Sequence, residues 1–163
     1  MKDALINRRE FLRNLGVIGA GALLSMSPWL SVFSEVVETS GEKCRLAIIG
    51  TGSRGRFLMS FLLQNPKVEI VALCDIYQPS MEKALNLVRE AKVYTDYRKV
   101  LENKTVDAVL VATPLNLHCQ IVLDAFDAGK HVFCEKSIGF TMEECFRIYK
   151  KHISTGKVLF TGQ

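Results

Sequence analysis

From residue 44 onward, short runs of apolar residues alternate with stretches in which apolar residues recur every three or four positions. This alternation predicts buried strands joined by helices. The six predicted strands are CRLAIIG from Cys44, VEIVALCD from Val68, the pair Val93 and Tyr94, VDAVLVAT from Val106, KHVFCE from Lys130 and KVLFTG from Lys157. Because strands that are apolar throughout are covered on both faces, the pattern favours an α/β fold with a parallel sheet.

The intervening stretches predict five helices. They are Ser53 to Gln64, Pro79 to Glu90, a short helix through Leu101 that Thr95 or Asp96 caps, Leu115 to Ala128 ended by Gly129, and a helix that a Thr141/Glu144 capping box opens and Gly156 closes. The first helix is expected to turn Phe57, Leu58, Phe61 and Leu62 inward, and the last Cys145, Ile148, Tyr149 and His152.

Residues 1–34 differ from the rest of the chain. The sequence NRREFLR at residues 7–13 precedes an uncharged, largely apolar stretch from Leu15 to Leu30. A charged region followed by an apolar one is typical of a targeting segment, and the arginine pair before Phe11 and Leu12 resembles the twin-arginine export signal. The alternatives are an uncleaved membrane anchor and an ordinary export signal for unfolded chains. Residues 35–43 are a predicted linker, and residues 44–163 the predicted folded domain.

Composition and charge narrow the classes of function. With 48% hydrophobic and 23% charged residues the chain is an ordinary globular one, not a disordered one. Its formal net charge of +4 comes without a basic run or a basic and aromatic patch, so we expect no nucleic-acid partner. The five cysteines are widely spaced without metal-ligand spacing, which favours buried free thiols and no metal site.

A glycine-rich turn follows the first predicted strand directly and opens the first predicted helix. The sequence GTGSRG puts Gly50, Gly52 and Gly55 in the spacing G-x-G-x-x-G. In this context Gly50 permits the tight turn, Gly52 lets the backbone approach a pyrophosphate, and Gly55 lets helix and strand pack closely. The N–H groups around Ser53 and Arg54 would face the phosphates. These features predict a Rossmann-type doubly wound parallel sheet with flanking helices.

Asp75 ends the second predicted strand, 20 residues beyond Gly55. A carboxylate there accepts hydrogen bonds from an adenosine ribose, although a strand-terminal turn former would also fit. Because Ile76 and Tyr77 follow rather than a basic residue, NAD is favoured over NADP. NADP stays open because Arg54 could reach a 2′-phosphate.

Two further motifs follow later predicted strands: ATPLNLH at residues 112–118 and GKHVFCEKS at residues 129–137. Together with the glycine turn and the strand-end acid, in this order and spacing, they resemble the Gfo/Idh/MocA family of glucose-fructose oxidoreductases and inositol dehydrogenases. The resemblance covers roughly residues 44–163, with Ser137 standing where the family usually has proline. It implies a nicotinamide cofactor and a sugar or cyclitol substrate.

The resemblance also implies roles for individual residues. Thr113, Pro114 and Asn116 would line the cofactor, with His118 nearby, and Glu135 and Lys136 match a motif whose lysine lies beside the nicotinamide and the substrate hydroxyl. Lys136 is therefore the candidate catalytic residue, since partial burial of an ammonium can bring its pKa toward the range for proton transfer. The alternatives are a solvated lysine and, for His118, an exposed histidine in the first helical turn.

Family members continue into a second domain that binds substrate, and this chain stops where that domain would begin. The leading hypothesis is the cofactor-binding half of an exported oxidoreductase that is inactive alone and could form a homo-oligomer when complete. A family member that uses NAD transiently to cleave a glycosidic bond is an alternative, and a non-catalytic dinucleotide-binding module is another. Export through the twin-arginine machinery would suit a protein that folds around its cofactor inside the cell.

Overall fold

The computed structural model describes residues 43–162, in which six parallel strands form one sheet between two layers of helices. The strands are β1 (Cys44–Ile49), β2 (Val68–Cys74), β3 (Lys92–Tyr94), β4 (Ala108–Val111), β5 (His131–Glu135) and β6 (Leu159–Gly162). The helices are α1 (Ser53–Leu62), α2 (Gln78–Leu85), α3 (Tyr97–Leu101), α4 (His118–Asp127) and α5 (Met142–Thr155), with a 3-10 turn at Leu115–Leu117. The predicted α/β class is confirmed.

The order of strands across the sheet is β3-β2-β1-β4-β5-β6, with every neighbouring pair parallel. The chain therefore winds outward from β1 to β3, returns to place β4 on the other side of β1, and winds outward again. This is the doubly wound Rossmann-type order that the sequence predicts. It leaves the carboxyl ends of β1 and β4 side by side at the point where the winding reverses.

The core lies in two layers because successive strand residues point to opposite faces of the sheet. In β1, Leu46 and Ile48 join the cluster beneath α1 and α2, whereas Ala47 and Ile49 join the cluster beneath α3, α4 and α5. All four residues of β4 are buried, as expected for a strand covered on both faces.

The inward face of α1 differs from the prediction. Its buried residues are Gly55, Leu58, Met59 and Leu62, while Phe57 and Phe61 are exposed and pack edge to face against each other. Gly55 decides this rotation because a Cβ there would lie 2.1 Å from the Gly50 carbonyl oxygen, so this side of the helix must face the turn. Residues three, four and seven positions further on then face inward too.

Element ends and one other helix face also depart from the prediction. Helix α1 ends at Leu62 rather than Gln64, and α2 at Leu85 rather than Glu90. The predicted helix from Leu115 begins as the 3-10 turn, so its α-helical part starts only at His118. The capping box of α5 is confirmed, but of its four predicted inward residues only Ile148 is fully buried, and Tyr149 points outward.

The leader and the linker predicted before residue 43 lie outside the described residues. Within residues 43–162, no helix combines the length and the apolar character needed to cross a membrane.

Candidate functional site

The turn between β1 and α1 brings three backbone segments into close contact. Gly50 has a φ of 94°, and its N–H donates to the Cys74 carbonyl oxygen at 2.8 Å. A Cβ at Gly50 would lie 2.5 Å from the Ala112 carbonyl oxygen, and a Cβ at Gly55 would strike Gly50 itself. The two positions therefore hold glycine for the reasons that the motif predicts, a tight turn and close helix packing.

The amino end of α1 has open space and unsatisfied donors. Its N-cap, Gly52, offers no side-chain cap, and the first turn contains no acidic residue. A Cβ built at Gly52 meets nothing within 4 Å, so the space above the turn is free for a ligand to approach the backbone. First-turn N–H groups without intrahelical partners, at the positive end of a helix dipole, favour an anionic group such as a phosphate.

Asp75 is held against this turn by a residue that the sequence analysis did not single out. The Asp75 Oδ2 atom accepts hydrogen bonds from the Thr51 N–H at 2.7 Å and the Thr51 hydroxyl at 2.9 Å. Its Oδ1 atom accepts from the Tyr77 N–H at 2.9 Å. Since a carboxylate has about four acceptor positions, one on Oδ1 stays open for a ligand hydroxyl. Thr51 is fully buried, and the sequence signal for it is a hydrogen-bonding side chain between Gly50 and Gly52 in the turn.

A cleft of about 690 Å³ lies at the carboxyl ends of β1, β2 and β4. Residues that line it include Gly50, Gly52, Asp75, Thr113 and Pro114, all of them predicted cofactor residues. Arg98 and Tyr77 also line this cleft, although no motif in the sequence points to either as a site residue. Arg98 forms an ion pair with Asp96 at 3.3 Å and lies over the Tyr97 ring. Arg98 is the one basic residue among those that line this cleft within residues 43–162.

A second cleft, of about 500 Å³, lies across the end of β4 from the first. It is lined by Arg54, Ala112, Thr113, Leu115, His118, Glu135, Lys136 and Gly162. Lys136 is exposed, so the partial burial expected for it is not present within residues 43–162. Ala112 and Thr113 line both clefts. The Thr113 hydroxyl is buried there without a hydrogen-bond partner among the described residues.

Arg54 belongs to the second cleft and not, as the sequence suggested, to the vicinity of Asp75. Its Nε–H donates to Glu135 Oε1 at 2.7 Å, and its guanidinium lies over the Phe57 ring. Glu135 is only 5% exposed, and its Oε2 accepts from the backbone N–H of Lys136 at 3.2 Å. One buried carboxylate therefore connects the first turn of α1, through Arg54, to the backbone of the candidate catalytic lysine.

His118 connects two loops of the second cleft and is buried, unlike the exposed histidine that the alternative interpretation expected. Its Nδ1 lies 2.7 Å from the Ser137 carbonyl oxygen, and its Nε2 lies 2.9 Å from the Thr113 carbonyl oxygen. A neutral imidazole can donate to one of these oxygens, and an imidazolium to both. The ring thus lies between the Thr113 segment and the segment that follows Lys136, and bonds one or both of them according to its protonation.

The remaining motif residues are structural or stay untested. Lys130 lies at the other end of β5, where its Nζ donates to the Asn103 and Val106 carbonyl oxygens and burial lowers its pKa. Asn116 is exposed on the 3-10 turn and lines neither cleft, so its contact with a cofactor stays a prediction.

The five cysteines are free thiols. Burial raises the pKa of Cys74, which lines the first cleft, and of Cys134 on β5 to about 12, which keeps them protonated and unreactive. Among residues 43–162 no group of histidine, cysteine and carboxylate side chains is arranged to hold a metal ion.

A glycine turn at the reversal point of the sheet, a strand-end carboxylate and a cleft on each side of β4 define an NAD-binding Rossmann domain. The sequence profile of the Gfo/Idh/MocA oxidoreductases, an oxidoreductase family with an NAD-binding Rossmann fold, matches residues 44–163. The chain belongs to this family.

Three known proteins illustrate the relationship. A glycosyl hydrolase family 109 protein of Stenotrophomonas maltophilia is 34% identical over 93% of this chain and 34% of its own length. An alpha-N-acetylgalactosaminidase of Shewanella oneidensis is 30% identical over 88% of the chain and 36% of its own. The crystal structure of myo-inositol 2-dehydrogenase from Lactobacillus plantarum superposes with a TM-score of 0.70 and 28% identity over 74% of this chain and 36% of that one. The chain thus spans about a third of the length of these proteins.

Proposed function

We propose that this domain is the cofactor half of an enzyme that transfers hydride between a sugar or cyclitol and NAD. The observation that carries the proposal is the pair of clefts that share Ala112 and Thr113 and flank the amino end of α1. A dinucleotide is long and has its phosphates in the middle. Adenosine would occupy the cleft of Asp75, the pyrophosphate would lie over Gly52, and the nicotinamide would occupy the cleft of Lys136.

The described residues fit such a ligand. The open acceptor position of Asp75 suits a ribose hydroxyl, the free N–H groups of α1 suit a pyrophosphate, and the buried Thr113 hydroxyl lacks a partner that a ligand could supply. The Asp75 carboxylate disfavours the 2′-phosphate of NADP. NADP is the weaker candidate, with Arg98 as the cation that would have to receive its phosphate.

When bound, NAD supplies the hydride acceptor for a C–H bond of a carbinol, and the protein orients the reactants and moves the proton. We assign the exchange of the hydroxyl proton to Lys136, because this side chain lines the cleft in which the nicotinamide would meet the substrate. Glu135 and His118 are positioning residues in this scheme, since both bond the backbone around Lys136.

A second candidate is a glycosidase that oxidises its substrate transiently, and the similarity to a glycosyl hydrolase family 109 protein and to an alpha-N-acetylgalactosaminidase favours it. The two candidates share the cofactor and the first hydride transfer but differ in the product. Incubation of the complete gene product with inositols and with α-N-acetylgalactosaminides distinguishes them. Net formation of NADH indicates a dehydrogenase, and release of free sugar without net NADH indicates a glycosidase. NAD binding with neither product would instead indicate a non-catalytic module.

Replacement of the candidate catalytic lysine tests the proposal at one side chain. In the complete gene product, Lys136→Met should lower turnover by on the order of 10²-fold, because proton transfer loses its group. The NAD dissociation constant should stay within about twofold, since binding rests on Asp75 and the glycine turn. Steady-state kinetics and calorimetric titration measure the two quantities.

Lys67→Met is the matched control, because Lys67 is an exposed lysine before β2 at the opposite end of the sheet. It should leave both quantities unchanged. Equal turnover in Lys136→Met and the unaltered protein would show that Lys136 does not take part in the proton transfer.

We also propose export through the twin-arginine route, with residues 1–34 as the signal. The alternative is that these residues stay on the protein as an uncleaved membrane anchor. The S. maltophilia relative aligns over 93% of this chain, whereas residues 44–163 make up under three quarters of it, so part of the leader aligns too. A route for folded proteins suits a domain that acquires NAD inside the cell.

Paired replacement of Arg8 and Arg9 by lysine tests the export proposal. The charge of the leader is preserved, so an ordinary export signal would still work, whereas twin-arginine export should fall. Fractionation of cells that express the full chain gives the result. An unchanged exported fraction would contradict the proposal, and Lys2→Arg is a control of equal charge outside the motif.

A further inference from the structure

Helix α5 carries a second apolar face, directed away from the sheet. Met142, Phe146, Tyr149 and Ile153 are each between 57% and 70% exposed, although Ile148 on the inward side of the same helix is fully buried. Their spacing of four, three and four residues places them in one line along a helix with 3.6 residues per turn. This is the a/d spacing of helices that pack lengthwise against another helix.

Four large apolar side chains in one exposed line are uncommon on a monomer and typically mark an interaction site. We refer to these four residues as the α5 stripe. Glu143 and Lys150 lie together along one edge of the stripe, because seven residues are nearly two helical turns. Neither side chain has an ion-pair partner within residues 43–162.

The stripe is complementary to itself when a second α5 is laid against it in the antiparallel direction. A twofold axis between Phe146 and Tyr149 places Met142 opposite Ile153 of the second copy, and Phe146 opposite Tyr149 of that copy. The same axis brings the edge that carries Glu143 and Lys150 against the same edge of the second copy, as in antiparallel coiled coils. Glu143 then lies beside Lys150 of the second copy, and the symmetry forms this pair of opposite charges twice.

We propose that the α5 stripe is a homodimer interface in which two copies of this chain pack their α5 helices antiparallel. The charge pattern favours a second copy over an unrelated apolar partner, because an apolar partner would leave Glu143 and Lys150 unpaired. It favours the antiparallel direction because a parallel arrangement would not form both ion pairs. The helix has 14 residues, which gives a contact about 21 Å long. A contact of this length is at the small end of specific interfaces, so we expect a weak dimer that dissociates in the micromolar range.

Charge reversal and charge exchange test the proposal without changing the apolar stripe. Glu143→Lys and Lys150→Glu should each weaken dimerisation roughly tenfold, because each brings like charges together at both symmetric positions. The double variant E143K/K150E recreates both pairs and should dimerise as the unaltered chain does. Sedimentation velocity over a concentration series from about 2 to 200 µM gives the dissociation constants.

The full chain is used throughout, so every variant carries the same leader and any association through residues 1–42 is common to all. Glu69→Lys, a reversal on β2 outside α5, is the matched control and should not change the dissociation constant. A monomer at every concentration overturns the proposal. So does association that neither single reversal weakens, because the contact then lies elsewhere. If dimerisation is weaker in both single variants and is not restored in the double variant, the antiparallel register is also overturned.

Discussion

Gly55→Ala is expected to destabilise the domain by about 3 kcal/mol or more and to weaken NAD binding with it. The new Cβ would lie 2.1 Å from the Gly50 carbonyl oxygen and 3.1 Å from its carbonyl carbon. Both atoms are backbone, and Gly50 is itself held by the hydrogen bond of its N–H to the Cys74 carbonyl oxygen. Relief of the clash therefore requires α1 to move off β1, which opens the core at Leu58 and Leu62.

Thermal unfolding followed by circular dichroism measures the effect, and a fall in Tm of roughly 10 °C corresponds to it for a domain of this size. Gly52→Ala is the matched control in the same turn. Its Cβ meets nothing within 4 Å, so stability should change by less than about 1 kcal/mol, whereas NAD affinity should fall because the methyl group occupies the space of the pyrophosphate.

The two variants should therefore separate packing from ligand binding, with Gly55→Ala losing both and Gly52→Ala losing binding alone. Equal stability of the two proteins would show that α1 adapts to a Cβ at Gly55. The rotation of α1 would then have a cause other than the contact between Gly55 and the Gly50 carbonyl oxygen.

The order of the elements could be predicted because each depends on local patterns that agree with one another. The apolar run of β4, the Thr141 capping box and the glycine at position 129 each specify their element without reference to the rest of the chain. The face of α1 could not be predicted from periodicity alone, because neighbouring apolar pairs such as Phe57 and Leu58 offer two inward stripes. The packing of Gly55 against the turn makes the choice, and that contact is tertiary.

In the candidate site, too, the local contacts could be predicted from the sequence and the tertiary contacts could not. The glycine turn and Asp75 lie in one βαβ unit, so their spacing predicts their proximity, and the structure places both at one cleft. Arg54 and Glu135 are 81 residues apart in sequence and join only because β1 and β5 flank β4. Arg98, in the first turn of α3, lines the Asp75 cleft although it stands 23 residues after Asp75. Pairs of this kind depend on strand order, which single-sequence patterns do not specify residue by residue.

The burial of His118 could have been predicted from the pattern, although the partners of its ring could not. A histidine in a first helical turn is ordinarily exposed, but His118 stands three and four residues before Ile121 and Val122 and so lies on the buried stripe of α4. The two carbonyl oxygens that its ring contacts belong to the loops after β4 and β5, which meet only because those strands are neighbours. The same adjacency puts Lys136 within the second cleft.

Asp75→Ala should shift the preference between NAD and NADP by roughly two to three orders of magnitude toward NADP. The variant loses the acceptor for the ribose hydroxyl, which costs NAD about 2 kcal/mol, or roughly thirtyfold in the dissociation constant. It also removes the negative charge that repels a 2′-phosphate, so NADP binding should strengthen while NAD binding weakens. Calorimetric titration of the full chain with each dinucleotide measures both constants.

Arg98 decides how far NADP gains in that background, because it is the basic side chain that lines the same cleft. Adding Arg98→Ala to Asp75→Ala should weaken NADP binding severalfold relative to Asp75→Ala alone and leave NAD affinity unchanged. Arg54→Ala in the same background should not affect the preference, since Arg54 is bound to Glu135 at the second cleft. If Arg54→Ala instead abolished the NADP gain, the adenosine would not lie in the cleft of Asp75, and the orientation of the dinucleotide across β4 would have to be reversed.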